Sequence, residues 1–220
     1  QMVMNMRIGN MVGFCVGEPW NARAINDRIG FTAATSQEIW PEHPEKVLGT
    51  RRDWVQQNPN TSRALVAALM DAARWIDASD DNKRETSRIL AQRGWLNTKE
   101  QYLTGRMLGA YDNGMGRQWQ DTHPIRFFDQ GEVNFPWLSD GMWFLTQFRR
   151  WGLLKNDPDY LAVAQRINRI DVWKEAAQAV GGINVPTQTL RSSKLMDGSI
   201  WNGSDPAGYA RSFAINRLGA

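Results

Sequence analysis

The sequence predicts an α/β fold with its few strands early and its helices late, the later part of a two-lobed protein. Three observations carry this. Two short apolar runs, near residues 12–17 and 29–35, are of buried-strand type and are bounded by turn residues. From Asn58 onward, apolar residues recur at helical spacing. Two or three strands cannot make a stable sheet alone, so partner strands are expected from upstream sequence.

Residues 1–9 read as the last turns of a helix, with Val3, Met6 and Met2 inward and Gly9 as its stop. The chain begins with Gln1 in what looks like mid-helix sequence. A truncated chain is therefore expected, in which a missing export signal carries no meaning. The run Phe14-Cys15-Val16 stops at Gly17-Glu18-Pro19-Trp20-Asn21. There a residue free in φ precedes a carboxylate, a ring that fixes φ, and a large aromatic. Chain reversals at strand ends are where α/β proteins build small-ligand sites, so the stretch from Gly13 to Lys46 is the place to look for function.

Thr35 or Ser36 is placed to cap a short helix over residues 37–40 that Pro41 ends, and residues 46–50 read as a further short strand. Asn58-Pro59-Asn60-Thr61 starts a helix with Leu65, Leu69, Ala72 and Ile76 on one face. Another runs from Lys83 to Gln92, and Thr98 with Gln101 forms a capping-box pattern for the next. Residues 109–137 read as ordered but irregular. Ser139 is expected to cap a helix to Trp151, and one long helix is expected from Tyr160 to Val180. Turn signals at Asp197-Gly198 and Asn202-Gly203 precede a last short helix near Ala207.

Composition excludes more than it selects. Lys and Arg total 26 against 23 Asp and Glu, a net charge of +3, and the basic pairs never gather into a stripe, so nucleic acid is a poor partner. The single cysteine, Cys15, excludes an internal disulfide and is expected to pack as a small apolar residue. No run is long enough to cross a bilayer as a helix. The 11 tryptophans are dispersed, and most are expected to be structural.

Enzyme templates mostly fail: GxSxG, P-loop, HExxH and CxxC patterns are absent. His43 and His123 each precede a proline and lie far apart, so they read as loop histidines rather than metal ligands, and no metal or cofactor is expected. A carboxylate pair such as Glu18 with Asp140 fits glycoside hydrolysis in type, though nothing in spacing selects it. Lys46, Glu18 and Trp20 are candidate ligand contacts, each with an ordinary structural alternative: a solvated lysine, a turn carboxylate, a packed ring.

The run Gly13-Phe14-Cys15-Val16-Gly17-Glu18-Pro19-Trp20-Asn21-Ala22-Arg23-Ala24, then Ile29-Gly30-Phe31-Thr32 and His43-Pro44-Glu45-Lys46-Val47-Leu48, resembles the nitrate/bicarbonate-binding proteins of ABC importers. The resemblance continues through Gly131–Pro136, Leu138–Gln147, Arg150–Leu154 and Leu190–Leu195, nearly the whole chain in order. Cytoplasmic nitrate/nitrite sensors of antitermination systems share the pattern.

That resemblance implies a two-lobed clamp of the type II periplasmic-binding-protein class, closing on one small oxyanion without catalysis. Residues 1–17 would end the second lobe and cross over, and residues 18–220 would form the latter part of the first lobe with its wrapping helices. A crossover glycine that contacts ligand matches Gly17, and the anion-pairing lysine matches Lys46. Further family contacts, a tryptophan, a glutamine and a histidine, would lie before Gln1. Bicarbonate-binding relatives carry an acidic residue in place of Lys46, serving calcium, so a lysine implies nitrate or nitrite. The implied partners are permease and ATPase subunits, at the periplasm or the outer face of the cell membrane. If the chain is a sensor, they are an antiterminator protein in the cytoplasm. A carbohydrate-active enzyme is the remaining alternative.

Overall fold

The structure, a computed structural model, describes residues 1–218. Its contacts divide the chain into two compact units, Gln1–Thr35 with Ala72–Asp129, and Ser36–Asp71 with Gln130 onward.

In the first unit, α1 (Met2–Arg7) buries Val3 and stops at Ile8 and Gly9, where Gly9 takes a positive φ of 79° that favours glycine. Next, α2 (Trp20–Asn26) buries Ala22 and Ala24 against α7 (Gln101–Met107), which in turn packs on α6 (Asp80–Ala91). Ser79 caps α6 by accepting the Asn82 N–H. A small antiparallel hairpin, β1 (Ala110–Asp112) with β2 (Gln118–Gln120), follows α7 within the stretch expected to be irregular.

The second unit begins with α3 (Ser36–Ile39) and α4 (Arg52–Gln57). From there α5 (Pro59–Asp77) contributes Pro59–Asp71 to this unit and Ala72–Asp77 to the first. Met70 of α5 joins Phe135 and the α10 (Ile170–Val180) residues Trp173, Ala176 and Ala177 in one apolar cluster. A second cluster sets Leu138 and Met142 of α8 (Leu138–Arg150) against Tyr160 and Ala164 of α9 (Tyr160–Ile167) and Trp201. Trp201 lies in β4 (Ile200–Trp201), paired with β3 (Ser193–Lys194) across the Asp197-Gly198 turn, and α11 (Pro206–Arg211) is capped by Asp205. The first cluster needs Gly131: a Cβ there would meet Ile183 Cγ2 at 2.6 Å, and its φ is +99°.

Several expectations are corrected. Residues 12–17, 29–35 and 46–50 form no strand; a ladder needs a run of bonds to a second segment, and an isolated backbone bond such as Thr32 N–H to Asn113 O at 2.9 Å does not make one. Cys15 is consequently exposed rather than packed. The buried face of α5 carries Ser62, Met70 and Ala73, while Leu65 and Leu69 are exposed, so the packed stripe lies beside the one that leucine spacing marks. Thr98 forms no capping box, because α7 starts with Glu100 as its N-cap and without a side-chain cap. The helix expected over residues 160–180 breaks between α9 and α10. Asn168 at the break leaves the helical region (φ −82°, ψ 87°), its carbonyl accepting the Ile170 N–H at 2.8 Å in a tight turn while its side-chain N–H donates to Trp137 O at 2.8 Å. No helix among the described residues is long and apolar enough to cross a membrane.

Candidate functional site

In the first unit, the turn after the apolar run is built around Glu18. Its Oε2 accepts the Ala22 N–H of α2 at 2.9 Å, and its Oε1 faces Arg106 Nε of α7 at 3.0 Å. Arg106 is buried, lies over the Tyr111 ring at 4.1 Å, and donates to Asp112 O at 3.4 Å. Asn21 donates its side-chain N–H to Val16 O at 2.8 Å and so closes the turn from the other side. The Glu18–Pro19 peptide is cis, Pro19 is buried, and Gly17 and Trp20 are half-buried. Both oxygens of Glu18 are thus engaged within the protein. Its chemistry here is that of a carboxylate holding α2 and α7 to the turn.

Burial pushes the Glu18 carboxyl above its ordinary value, outweighing the pull of the Ala22 N–H and of Arg106 in the other direction. A carboxyl raised on folding binds a proton that the unfolded chain has already released. Its contribution to stability is therefore fully present below about pH 4.5 and is lost as pH rises through the raised folded value. Glu18→Gln removes that titration. The stability difference between wild type and E18Q, from urea unfolding at about pH 4 to about pH 7, is expected to shrink as pH rises. A difference that grows over the same range excludes a raised carboxyl.

The second unit carries Lys46 on a loop that leaves α3. Trp40 anchors that loop: it is 2% exposed, 4.8 Å from the Trp143 ring of α8 and 5.1 Å from the His43 ring. Backbone bonds run from Met196 N–H to Ile39 O and from His43 N–H to Trp40 O. Arg191 forks onto Asp140 of α8, Nε to Oδ1 at 3.0 Å and Nη2 to Oδ2 at 2.8 Å, and the same Nη2 donates to Glu42 O at 3.2 Å. Ser139, expected to cap α8, instead accepts the Arg191 N–H on Oγ, because Trp137 is the N-cap of α8 and Ser139 is fully buried inside it. Burial pushes the Asp140 carboxyl up, against the opposing pull of Arg191 and of His43.

Lys46 follows with its side chain 83% exposed and its ammonium 3.5 Å from Glu45 Oε2. The sequence candidates therefore divide: Gly17, Glu18 and Trp20 belong to the first unit and Lys46 to the second. The Glu18 and Asp140 carboxylates considered for glycoside hydrolysis each bind an arginine. His123 donates its backbone N–H to Asp121, and no group of three His, Cys, Asp or Glu suited to a metal occurs among the described residues. Arg106, Arg191 and the anchoring role of Asp140 escaped sequence reasoning. The one signal present was that the segments around Asp140 and Arg191 recur together in the family resemblance.

The chain is similar along its length to known proteins. It is 36% identical to the nitrate/nitrite binding protein NrtA of Nostoc sp. PCC 7120 over 99% of this chain and 50% of that protein. It is likewise 36% identical to the nitrate import ATP-binding protein NrtC of Synechocystis sp. PCC 6803, over 99% of this chain and 32% of NrtC. Its fold superposes on the crystal structure of the periplasmic nitrate-binding protein NrtA from Synechocystis PCC 6803 with a TM-score of 0.89 at 35% identity, covering 96% of this chain and 56% of that one. The α/β class expected from sequence is thereby met, and the unpaired apolar runs belong to a fold of which this chain spans about half. Residues 1–91 also match the NMT1-like family. Nearly the whole chain is thus similar to the nitrate-binding proteins, and it spans about half the length of the NrtA relatives it matches.

Proposed function

We propose that this chain is part of a solute-binding component of an ABC importer for a small inorganic oxyanion, nitrate first and nitrite second. The similarity over 96% of the chain to a solved periplasmic nitrate-binding protein is the observation that carries this reading. Lys46 is assigned the role of pairing with the anion. A compact ammonium suits a monovalent guest as a point charge, and a lysine here argues against the acidic, calcium-serving residue expected for bicarbonate. Gly17 is proposed as a close backbone contact with Trp20 beside it, and Glu18 takes part through the turn it holds. Residues 1–17 are assigned to the end of one lobe and the crossover, and residues 18–220 to the latter part of the other.

The proposed partners are permease and ATPase subunits. A stretch similar to this chain within a nitrate import ATP-binding protein supports that association. The proposed location is the periplasm or the outer face of the cell membrane, as the periplasmic relative supports.

Titration calorimetry of the intact protein with nitrate, nitrite, and bicarbonate with calcium tests the reading. Four heavy atoms at no more than about 1.5 kcal/mol each give roughly 6 kcal/mol, or tens of micromolar, so saturable nitrate binding of about that strength is expected. Binding of bicarbonate with calcium, and none of nitrate or nitrite, would sink it.

A further inference from the structure

We propose that Asp140 and Arg191 are a positioning pair: together they fix the loop from Trp40 to Lys46 and so set where the Lys46 ammonium is presented. The part that concerns the anion rests on the function proposed above; the anchoring of the loop does not.

The need for such a device follows from the loop itself. From His43 to Thr50 the chain has no helix or strand, and residues 45–50 are exposed. A lysine amine on an unanchored segment samples many positions, and a small anion pairs well only with an amine held in one place. The order must come from bonds made upstream of Lys46. Among the described residues, the contacts made with partners outside the loop include three. Ile39 O accepts the Met196 N–H at 3.0 Å, the Trp40 ring is buried on Trp143, and Glu42 O accepts from Arg191.

Of these three the last lies nearest to Lys46, four residues before it, and it adds to bonds within the turn itself, Glu42 N–H to Gln37 Oε1 and His43 N–H to Trp40 O, each at 3.1 Å. Glu42 has a φ of 60°, a left-handed conformation that a non-glycine residue keeps only where its surroundings hold it. The holding group is itself held. Arg191 is fixed at its backbone by buried Ser139 and at its guanidinium by both oxygens of Asp140, leaving Nη2 to reach the Glu42 carbonyl. A planar guanidinium can bridge a carboxylate and a carbonyl at once in fixed geometry, which an ammonium does not reproduce. The two sequence segments that recur with the Lys46 segment in the family resemblance are thus the ones that supply its anchor.

The test uses the intact protein with Arg191→Lys and Arg191→Gln. It combines amide hydrogen exchange over residues 42–46, nitrate calorimetry and thermal unfolding. Loss of a charge-assisted fork is expected to speed exchange at 42–46 about tenfold or more and to weaken nitrate binding by a similar factor. Amides of α9 and α10 are expected to keep their protection in R191K. Unchanged exchange at 42–46 in both variants, or faster exchange there only in step with α9 and α10, overturns the positioning pair. Faster local exchange with undiminished nitrate affinity overturns its link to Lys46. If wild type binds no nitrate or nitrite, the oxyanion reading falls, and the exchange data alone decide whether the loop is anchored as proposed.

Discussion

Lys46→Glu is expected to abolish nitrate binding in the intact protein while leaving unfolding temperature and helical content unchanged. The fold has little invested in this side chain, which is 83% exposed and has Glu45, its chain neighbour, as an ion-pair partner at 3.5 Å. The ligand, by contrast, depends on it. A guest of four heavy atoms gains roughly 6 kcal/mol at best from all contacts together. Removing a charged hydrogen-bond partner costs about 1.5–3 kcal/mol, and a carboxylate in its place adds repulsion. The sum exceeds what a complex of tens of micromolar can lose and remain measurable, so the calorimetric signal is expected to vanish, with Lys46→Gln retaining weak binding. Undiminished affinity in K46E refutes the Lys46 assignment and leaves the similarity to the nitrate-binding proteins intact.

The largest stability effect is expected at Trp173. This ring is 3% exposed, meets Phe135 edge-on at 4.9 Å, and packs with Met70, Ala176 and Ala177 in the core of the second unit. Trp173→Ala is expected to cost about 3–5 kcal/mol in denaturant unfolding, from lost apolar burial and the cavity left behind. Trp173→Phe is the informative control. The Trp173 Nε1–H is buried and makes no hydrogen bond, so phenylalanine removes an unsatisfied donor while keeping most of the aromatic contact. Its cost is therefore expected to be less than half that of the alanine variant. Equal losses in the two variants indicate that Trp173 matters through something other than ring packing.

How far the sequence reaches shows in the helices. The Gly9 stop, the short helix closed by Pro41, the start near Pro59 and the end of α8 near Trp151 all stand close to where their residues predict them. Each depends on a few adjacent residues whose backbone preferences act locally, and such signals survive in a linear reading. The exceptions share one cause. Ser139 has the chemistry of a cap, yet its hydroxyl serves Arg191, some fifty residues away. Asn168 interrupts a periodicity that otherwise runs unbroken, turning the backbone where its side chain meets Trp137 O. The leucines of α5 mark a stripe, yet Met70 and Ala73 are the residues with a core to enter.

The candidate site divides in the same way. Lys46, Gly17 and the turn at Glu18 stood out from the linear chain, as residues of suggestive chemistry at expected reversals and through a resemblance borne by ordered motifs. Arg106 and Arg191 did not, since an arginine held by a carboxylate has the same letter as a solvated one. What the sequence by itself determined was the class of the fold, the placing of most helices and the kinship of the chain. Local propensity and motif order are encoded residue by residue. Only the tertiary structure decided which carboxylates Arg106 and Arg191 meet, which stripe of α5 packs, and that the three expected strands join no ladder. Those outcomes depend on partners distant along the chain, and hydrogen bonding and burial are satisfied only where such partners converge in space.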